Sequence, residues 1–206
     1  MADTIVAPTL VLASASPTRQ RLLRAAGVHF KVITSCVDEV VIRETLVADG
    51  HEVDPIDLAE VLARAKAEDV SARHPGCPVI GADQVLSCGG GLFSKPSTVD
   101  AARETLLALR GRTHQLHSAV AIAEDGETEW VFADTADLTM RRFSMAFLGR
   151  YLAAVGGGVL GSVGAYQLEG PGIQLFERIE GDFFTILGLP MLPLLAELRA
   201  RKLIPE

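Results

Sequence analysis

An α/β protein on a mixed sheet is predicted by three features of the 206-residue chain. Short apolar runs alternate with helix-patterned segments, an Asp-Gly pair separates two long strand-like stretches, and the second half of the chain is richer in strands than the first. The first apolar run, "TLVLA" (Thr9 to Ala13), reads as a buried strand. From Pro17 the pattern turns helical, with Leu22, Leu23 and Ala26 on one side and Gly27 as the stop. "FKVI" (Phe30 to Ile33) is a second strand. Asp54 followed by Pro55 caps and opens a long helix, carrying Leu58, Val61, Leu62 and Ala65 to about Ala72. "PVIGADQVLS" (Pro78 to Ser87) is a strand running into a glycine turn, Gly89 to Gly91. A helix over Val99 to Leu109 is opened by Ser97, with Asp100 as its capping-box partner.

The second half is richer in strands. "LHSAVAIAED" and "EWVFADTADLTM" flank Asp125-Gly126, a strong hairpin signal. A helix near Ser144 to Ala154 ends in Gly156-Gly157-Gly158, and Leu160 to Ile179 mixes glycines with strand formers. Pro190 starts a C-terminal helix to about Lys202. No repeat or linker divides the chain, so residues 1–206 read as one domain.

Composition narrows the function. Apolar residues are 49% and charged residues 22% of the chain, ordinary for a soluble globular protein. A net charge of −7 argues against a protein that coats nucleic acid, which needs clustered cations, but allows a small anion held by a few local ones. Cys36, Cys77 and Cys88 form no CxxC pair and cannot all pair within one chain, which fits a reducing compartment. The run from Ile5 to Ala15 has Asp3 before it, holds Pro8 and lacks a basic flank. It supports neither a signal peptide nor a membrane span, and a cytoplasmic protein is expected.

Several residues carry chemistry. Ser14-Ala15-Ser16-Pro17-Thr18-Arg19 puts hydroxyls and a guanidinium at a helix N-terminus, which suits an anion; helix capping by Ser16 is the alternative. No Walker loop occurs anywhere in the chain. Lys66 lies late in its helix among the small residues Ala63, Ala65 and Ala67, either solvated or closely approached. Asp83 and Gln84 interrupt an apolar strand, and a buried carboxylate there needs a cation, a metal or a catalytic task. Lys95 follows the glycine turn, either as a surface lysine or as a further cation. His114 and His117 fall on opposite faces of a strand, which disfavours a shared metal.

"LASASPTRQRLL", "VDE", "ARAKA", "GADQVL", "SKPST" and "GAYQLEGPGIQLFERIEGDFFTILGLP" stand in the order and spacing of Maf proteins, the septum-formation-inhibitor-like nucleotide pyrophosphatases. The chain resembles that family from about Leu10 to Leu195. The resemblance implies an inosine-triphosphate-pyrophosphatase-like (Maf/Ham1) fold, an elongated mixed sheet in two lobes around a cleft. It implies hydrolysis of a nucleoside triphosphate to monophosphate and pyrophosphate with a divalent cation, Mg²⁺ or Mn²⁺. Asp83 matches the catalytic acid position, as proton acceptor or metal ligand, and Glu39 matches a second acidic position suited to the metal. Ser14, Ser16, Arg19, Lys66 and Lys95 match phosphate-binding positions. Thr18, Gln84 and Glu169 match positions that vary with substrate. Gln84 and Glu169 resemble the branch acting on 7-methylguanosine triphosphate, whereas Thr18 stands where that branch often has Trp. A small nucleotide is thus the implied partner, with no nucleic acid or membrane, and a homodimer is common in the family. The alternative is a nucleotide-binding regulator of cell division without essential turnover.

Overall fold

A computed structural model describes residues 9–48 and 53–205. The segment from Ile5 to Pro8, on which the leader expectation partly rests, lies outside the described residues. Seven strands form one sheet: β1 (Val11–Leu12), β2 (Lys31–Val32), β3 (Val79–Cys88), β4 (Gly91–Phe93), β5 (Thr113–Glu124), β6 (Glu127–Met140) and β7 (Phe176–Glu180). The order is β2-β1-β3-β5-β6-β7, with β4 on β3. β1 runs parallel to β2 and β3, and the other pairings are antiparallel, so the sheet is mixed as the hairpin signal requires. Asp125 and Gly126 both adopt positive φ (51° and 88°), the turn that an Asp-Gly pair favours.

The helices are α1 (Pro17–Ala25), α2 (Glu39–Ala48), α3 (Pro55–Arg73), α4 (Val99–Leu109), α5 (Met145–Val155), α6 (Phe183–Ile186) and α7 (Met191–Ala200). Three differ from the sequence reading, one of them the single turn α6, which is started by the Asp182 cap in a stretch for which no element is expected. α2 lies where no helix is expected, because Val40-Val41-Ile42 is β-branched and lowers helix propensity; Asp38 Oδ1 accepts from the amides of Val40 and Val41 and starts it. α4 is capped not by Ser97 but by Thr98, whose Oγ1 accepts from the Ala101 amide at 3.1 Å. Among the described residues no helix is long and apolar enough to cross a membrane.

Strand alternation sorts the core onto two faces. α3 covers one, packing Leu58, Ala59, Leu62 and Ala63 over Val85, Ala119 and Ala121. On the other face α1 and α7 cover Leu12, Ile80 and Val120, while α4 and α5 cover Leu86, Leu116 and Leu138 as a separate cluster. Gly81 explains the small residues of α3. A Cβ on it would overlap the Ala63 carbonyl and come within 2.6 Å of the Ala67 amide, so helix and strand touch there backbone to backbone.

One edge of β3 pairs fully with β5. The other pairs with β1 only at Val79–Ile80 and with β4 only from Leu86. Between them the edge from Gly81 to Val85 has no partner strand among the described residues, and the loop after β1 turns into α1 beside this gap.

His114, 1% exposed, lies in the α4–α5 cluster with its Nε2 2.8 Å from the Tyr166 hydroxyl. Burial pushes its pKa down from 6.5 to about 4, against a weaker opposing pull from Asp137. The unfolded chain therefore holds this proton more tightly, and the stability contributed by neutral His114 is complete above pH 6.5 and falls as the pH drops toward 4. Wild type should lose about 3 kcal/mol of stability from this group across that window. His114→Phe should lack that component when urea midpoints are compared from pH 7 to pH 4; parallel profiles for the two proteins would contradict it.

Candidate active site

Ser14 to Ser16 leave β1 at the gap in the sheet edge. Ser16 Oγ accepts from the Arg19 amide at 3.4 Å and Pro17 is the first residue of α1, so Ser16 does cap this helix. Ser14 Oγ accepts from the Ser16 amide at 3.3 Å and from Arg19 Nη1 at 3.2 Å. Arg19 Nη1 also donates to the Ala82 carbonyl at 2.8 Å, filling part of the open edge, and Nε donates to the Gly188 carbonyl at 2.7 Å. Burial lowers the Arg19 pKa while the charges of Asp83 and Glu39 oppose the shift; the guanidinium stays charged.

Asp83 points to the α3 face. Because Gly81 lets α3 lie against β3, Lys66 reaches Asp83 Oδ1 at 2.5 Å, and Glu39 Oε1, from the first turn of α2, lies 2.6 Å from the same ammonium. Lys66 and Asp83 are 8% and 5% exposed, so Lys66 is closely approached rather than solvated. Burial acts to raise the Glu39 pKa, but the hydrogen bond from Lys66 and the charges of Lys66, Arg43 and Lys95 outweigh it and hold the carboxyl below its usual range. Lys95 reaches solvent from the loop after β4, yet desolvation and then repulsion from Arg19 lower its pKa, with Asp83 and Glu39 opposing. The cations Arg19, Lys66 and Lys95 thus surround the carboxylates of Asp83 and Glu39. Arg43, one helical turn after Glu39, is a further cation that goes unnoticed while α2 is not recognised.

Asp83 Oδ2 is buried and has no hydrogen-bond partner among the described residues. A buried carboxylate oxygen left open, with a second carboxylate on the same ammonium, offers the hard oxygen donors that a divalent cation takes. The two carboxylates would fit such an ion.

The remaining three predicted positions are not in this ion cluster. Thr18 sits half-buried on α1. Gln84, on the opposite face from Asp83, gives its amide to Ser118 Oγ and to the carbonyls of Thr185 and Ile186. Glu169 pairs with Arg21 of α1 rather than with Arg178, which pairs with Glu180. Arg21 carries no sequence signal for this contact, being 148 residues from its partner. Lys66→Met would leave Asp83 buried and unpaired, a loss of roughly 3–5 kcal/mol. Urea unfolding should show that loss, with more than half recovered by adding Asp83→Asn; equal stabilities for wild type and Lys66→Met would mean the pair is not formed.

The description "Maf-like protein" fits residues 9–201. A Brucella abortus protein named 7-methyl-GTP pyrophosphatase is 53% identical over 195 residues, covering 95% of this chain and 97% of its own. One from Granulibacter bethesdensis named nucleoside triphosphate pyrophosphatase is 49% identical over 190 residues, covering 92% and 95%. Among solved structures, the Staphylococcus aureus Ham1 protein aligns with a TM-score of 0.42 at 20% identity, over 65% of this chain and 72% of that one.

Proposed function

The chain belongs to the Maf-like proteins, and from that premise we propose that it hydrolyses a nucleoside triphosphate to the monophosphate and pyrophosphate, with 7-methylguanosine triphosphate its best substrate. The observation that carries this is Lys66 clamped between Asp83 and Glu39, with Asp83 Oδ2 left free and Arg19 and Lys95 alongside. A triphosphate brings about four negative charges, and attack at phosphorus needs cations aimed at the charge that develops.

In this reading Arg19, Lys95 and the Ser14–Ser16 corner hold the phosphate chain. Lys66 holds Asp83 Oδ1, which leaves Oδ2 as the oxygen to accept a proton from the attacking water. The water oxygen bonds to the α-phosphorus, the bond from that phosphorus to the oxygen bridging to the β-phosphorus breaks, and pyrophosphate leaves with that oxygen. Glu39 and Asp83 would hold a divalent cation, which supplies charge neutralisation on the phosphate oxygens. Asp83→Asn should keep its fold and lose on the order of 10²–10⁴-fold in rate. Chromatography of the wild-type products should give monophosphate and pyrophosphate; diphosphate with orthophosphate would place attack at the γ-phosphorus and overturn the proposal.

For the base, Glu169 supports the methylated purine. Arg21 holds it beside α1, whose first turn carries Arg19. A carboxylate accepts two donors side by side, which the guanine edge offers, and 7-methylation makes the ring cationic. Uracil and thymine would turn carbonyl oxygens toward it. Glu169→Gln should lower the preference for 7-methylguanosine over uridine triphosphate by about tenfold, the value of a charge-assisted contact near 1.4 kcal/mol. An unchanged ratio of kcat/KM for the two would remove Glu169 from base selection.

A further inference from the structure

Gln84 follows Asp83 directly, yet the reaction above makes no use of it. Its Nε2 lies 3.0 Å from Ser118 Oγ, 3.1 Å from the Thr185 carbonyl and 3.0 Å from the Ile186 carbonyl. An amide nitrogen has two hydrogens, so this one is fully committed to the turn and has none for a base. Ser118 Oγ donates to the same Thr185 carbonyl at 2.7 Å, and the Gly188 amide donates to it at 3.0 Å. Thr185 and Ser118 are completely buried.

The turn pinned in this way ends at Gly188, whose φ of 88° favours glycine. A Cβ there would lie 3.5 Å from Arg19 Nη2 and 3.6 Å from Gln84 Oε1, so the glycine backbone is held between the two side chains. Its carbonyl receives Arg19 Nε, while Nη1 is fixed by Ala82 and Ser14. Two of the three guanidinium nitrogens are thereby oriented, and Nη2 is the one without a protein acceptor among the described residues. We propose that Gln84 is a positioning residue for Arg19: its amide pins the Thr185–Gly188 turn, whose last carbonyl aims the guanidinium at the phosphates. This rests on the pyrophosphatase reading, and it leaves Gln84 no amide hydrogen to give a base.

The test is steady-state pyrophosphate release from 7-methylguanosine, guanosine and uridine triphosphates by wild type, Gln84→Ala, Arg19→Ala and the double variant. Misaiming a substrate-holding group costs up to about a hundredfold. Gln84→Ala should therefore lower kcat/KM about tenfold to a hundredfold by nearly the same factor on all three nucleotides. In the Arg19→Ala background the same change should cost less than about threefold, because the group it aims is gone. Gln84→Glu, which cannot donate and sets an anion among carbonyls, should be worse than alanine. Base-dependent losses differing by more than about tenfold, or fully additive effects, would overturn the proposal. Should Gln84→Ala not fold, Ser118→Ala removes one donor from the Thr185 carbonyl; it should show a smaller loss that is likewise base-independent and coupled to Arg19, and an uncoupled loss overturns the proposal too. Wild-type protein that releases no pyrophosphate from any of the three would refute the activity itself, and the proposal with it.

Discussion

Lys66 keeps a positive charge inside the protein because two carboxylates meet it there. An isolated charge in that position would be costly, since the interior solvates charge poorly. Asp83 and Glu39, at 2.5 and 2.6 Å, supply the compensation from two different elements. The arrangement depends on how closely α3 approaches β3, and that depends on Gly81 meeting Ala63 and Ala67 with no side chain between them. A larger residue at any of the three would move the helix outward and carry Lys66 with it. The small-residue stripe is a packing requirement whose consequence is electrostatic.

The same strand serves two purposes through its alternation. Asp83 faces α3 and the ions, while Gln84 faces the seam between the two apolar clusters. That seam is polar because the α6 turn crosses it. Asp182 caps α6 by accepting from the amides of Phe184 and Thr185, Thr185 Oγ1 donates to Asp134 Oδ2 at 2.8 Å, and Ser118 and Gln84 satisfy the carbonyls. A turn whose Thr185 and Ile186 carbonyls are held by side chains of β3 and β5 is tied to the sheet, and Gly188 with it through the hydrogen bond of its amide to the Thr185 carbonyl.

Much of this was legible where the signal is local. The Ser16–Pro17 cap, the Asp54–Pro55 start, the Asp125-Gly126 hairpin and the glycine after α1 are each set by the conformational needs of one or two residues. Asp83 was legible because a carboxylate in an apolar strand is costly unless it is used. The misses are contacts between distant segments or competing local signals. Thr98 caps α4 in place of Ser97 because both hydroxyls precede the helix and sequence alone does not choose between neighbours. α2 hid behind three β-branched residues, and Arg43 with it. Glu169 and Arg21 meet across 148 positions, and nothing in either local sequence specifies the partner. The reach of Gln84 to the α6 turn was not legible either; it adjoins Asp83, but neighbours on a strand face opposite ways, and its partners lie about a hundred residues on.

Charge balance explains why the site needs both of its acidic residues and why cations alone would not do. Arg19, Lys66 and Lys95 against Asp83 and Glu39 leave the cluster with one net positive charge, whereas a nucleoside triphosphate brings about four negative ones. Removing the carboxylates would improve that match and bind the substrate more tightly, but it would leave no oxygen to take a proton and no ligand for a divalent ion. It would also leave three cations repelling one another; Arg19 and Lys66 already work to lower the Lys95 pKa. With the carboxylates present, a divalent cation held as proposed would supply two further charges, and Arg43 stands one helical turn from Glu39 as another. In the proposed reaction the cluster would come near balance only with substrate and ion both bound, which would tie its charge state to the complex that reacts rather than to the free protein.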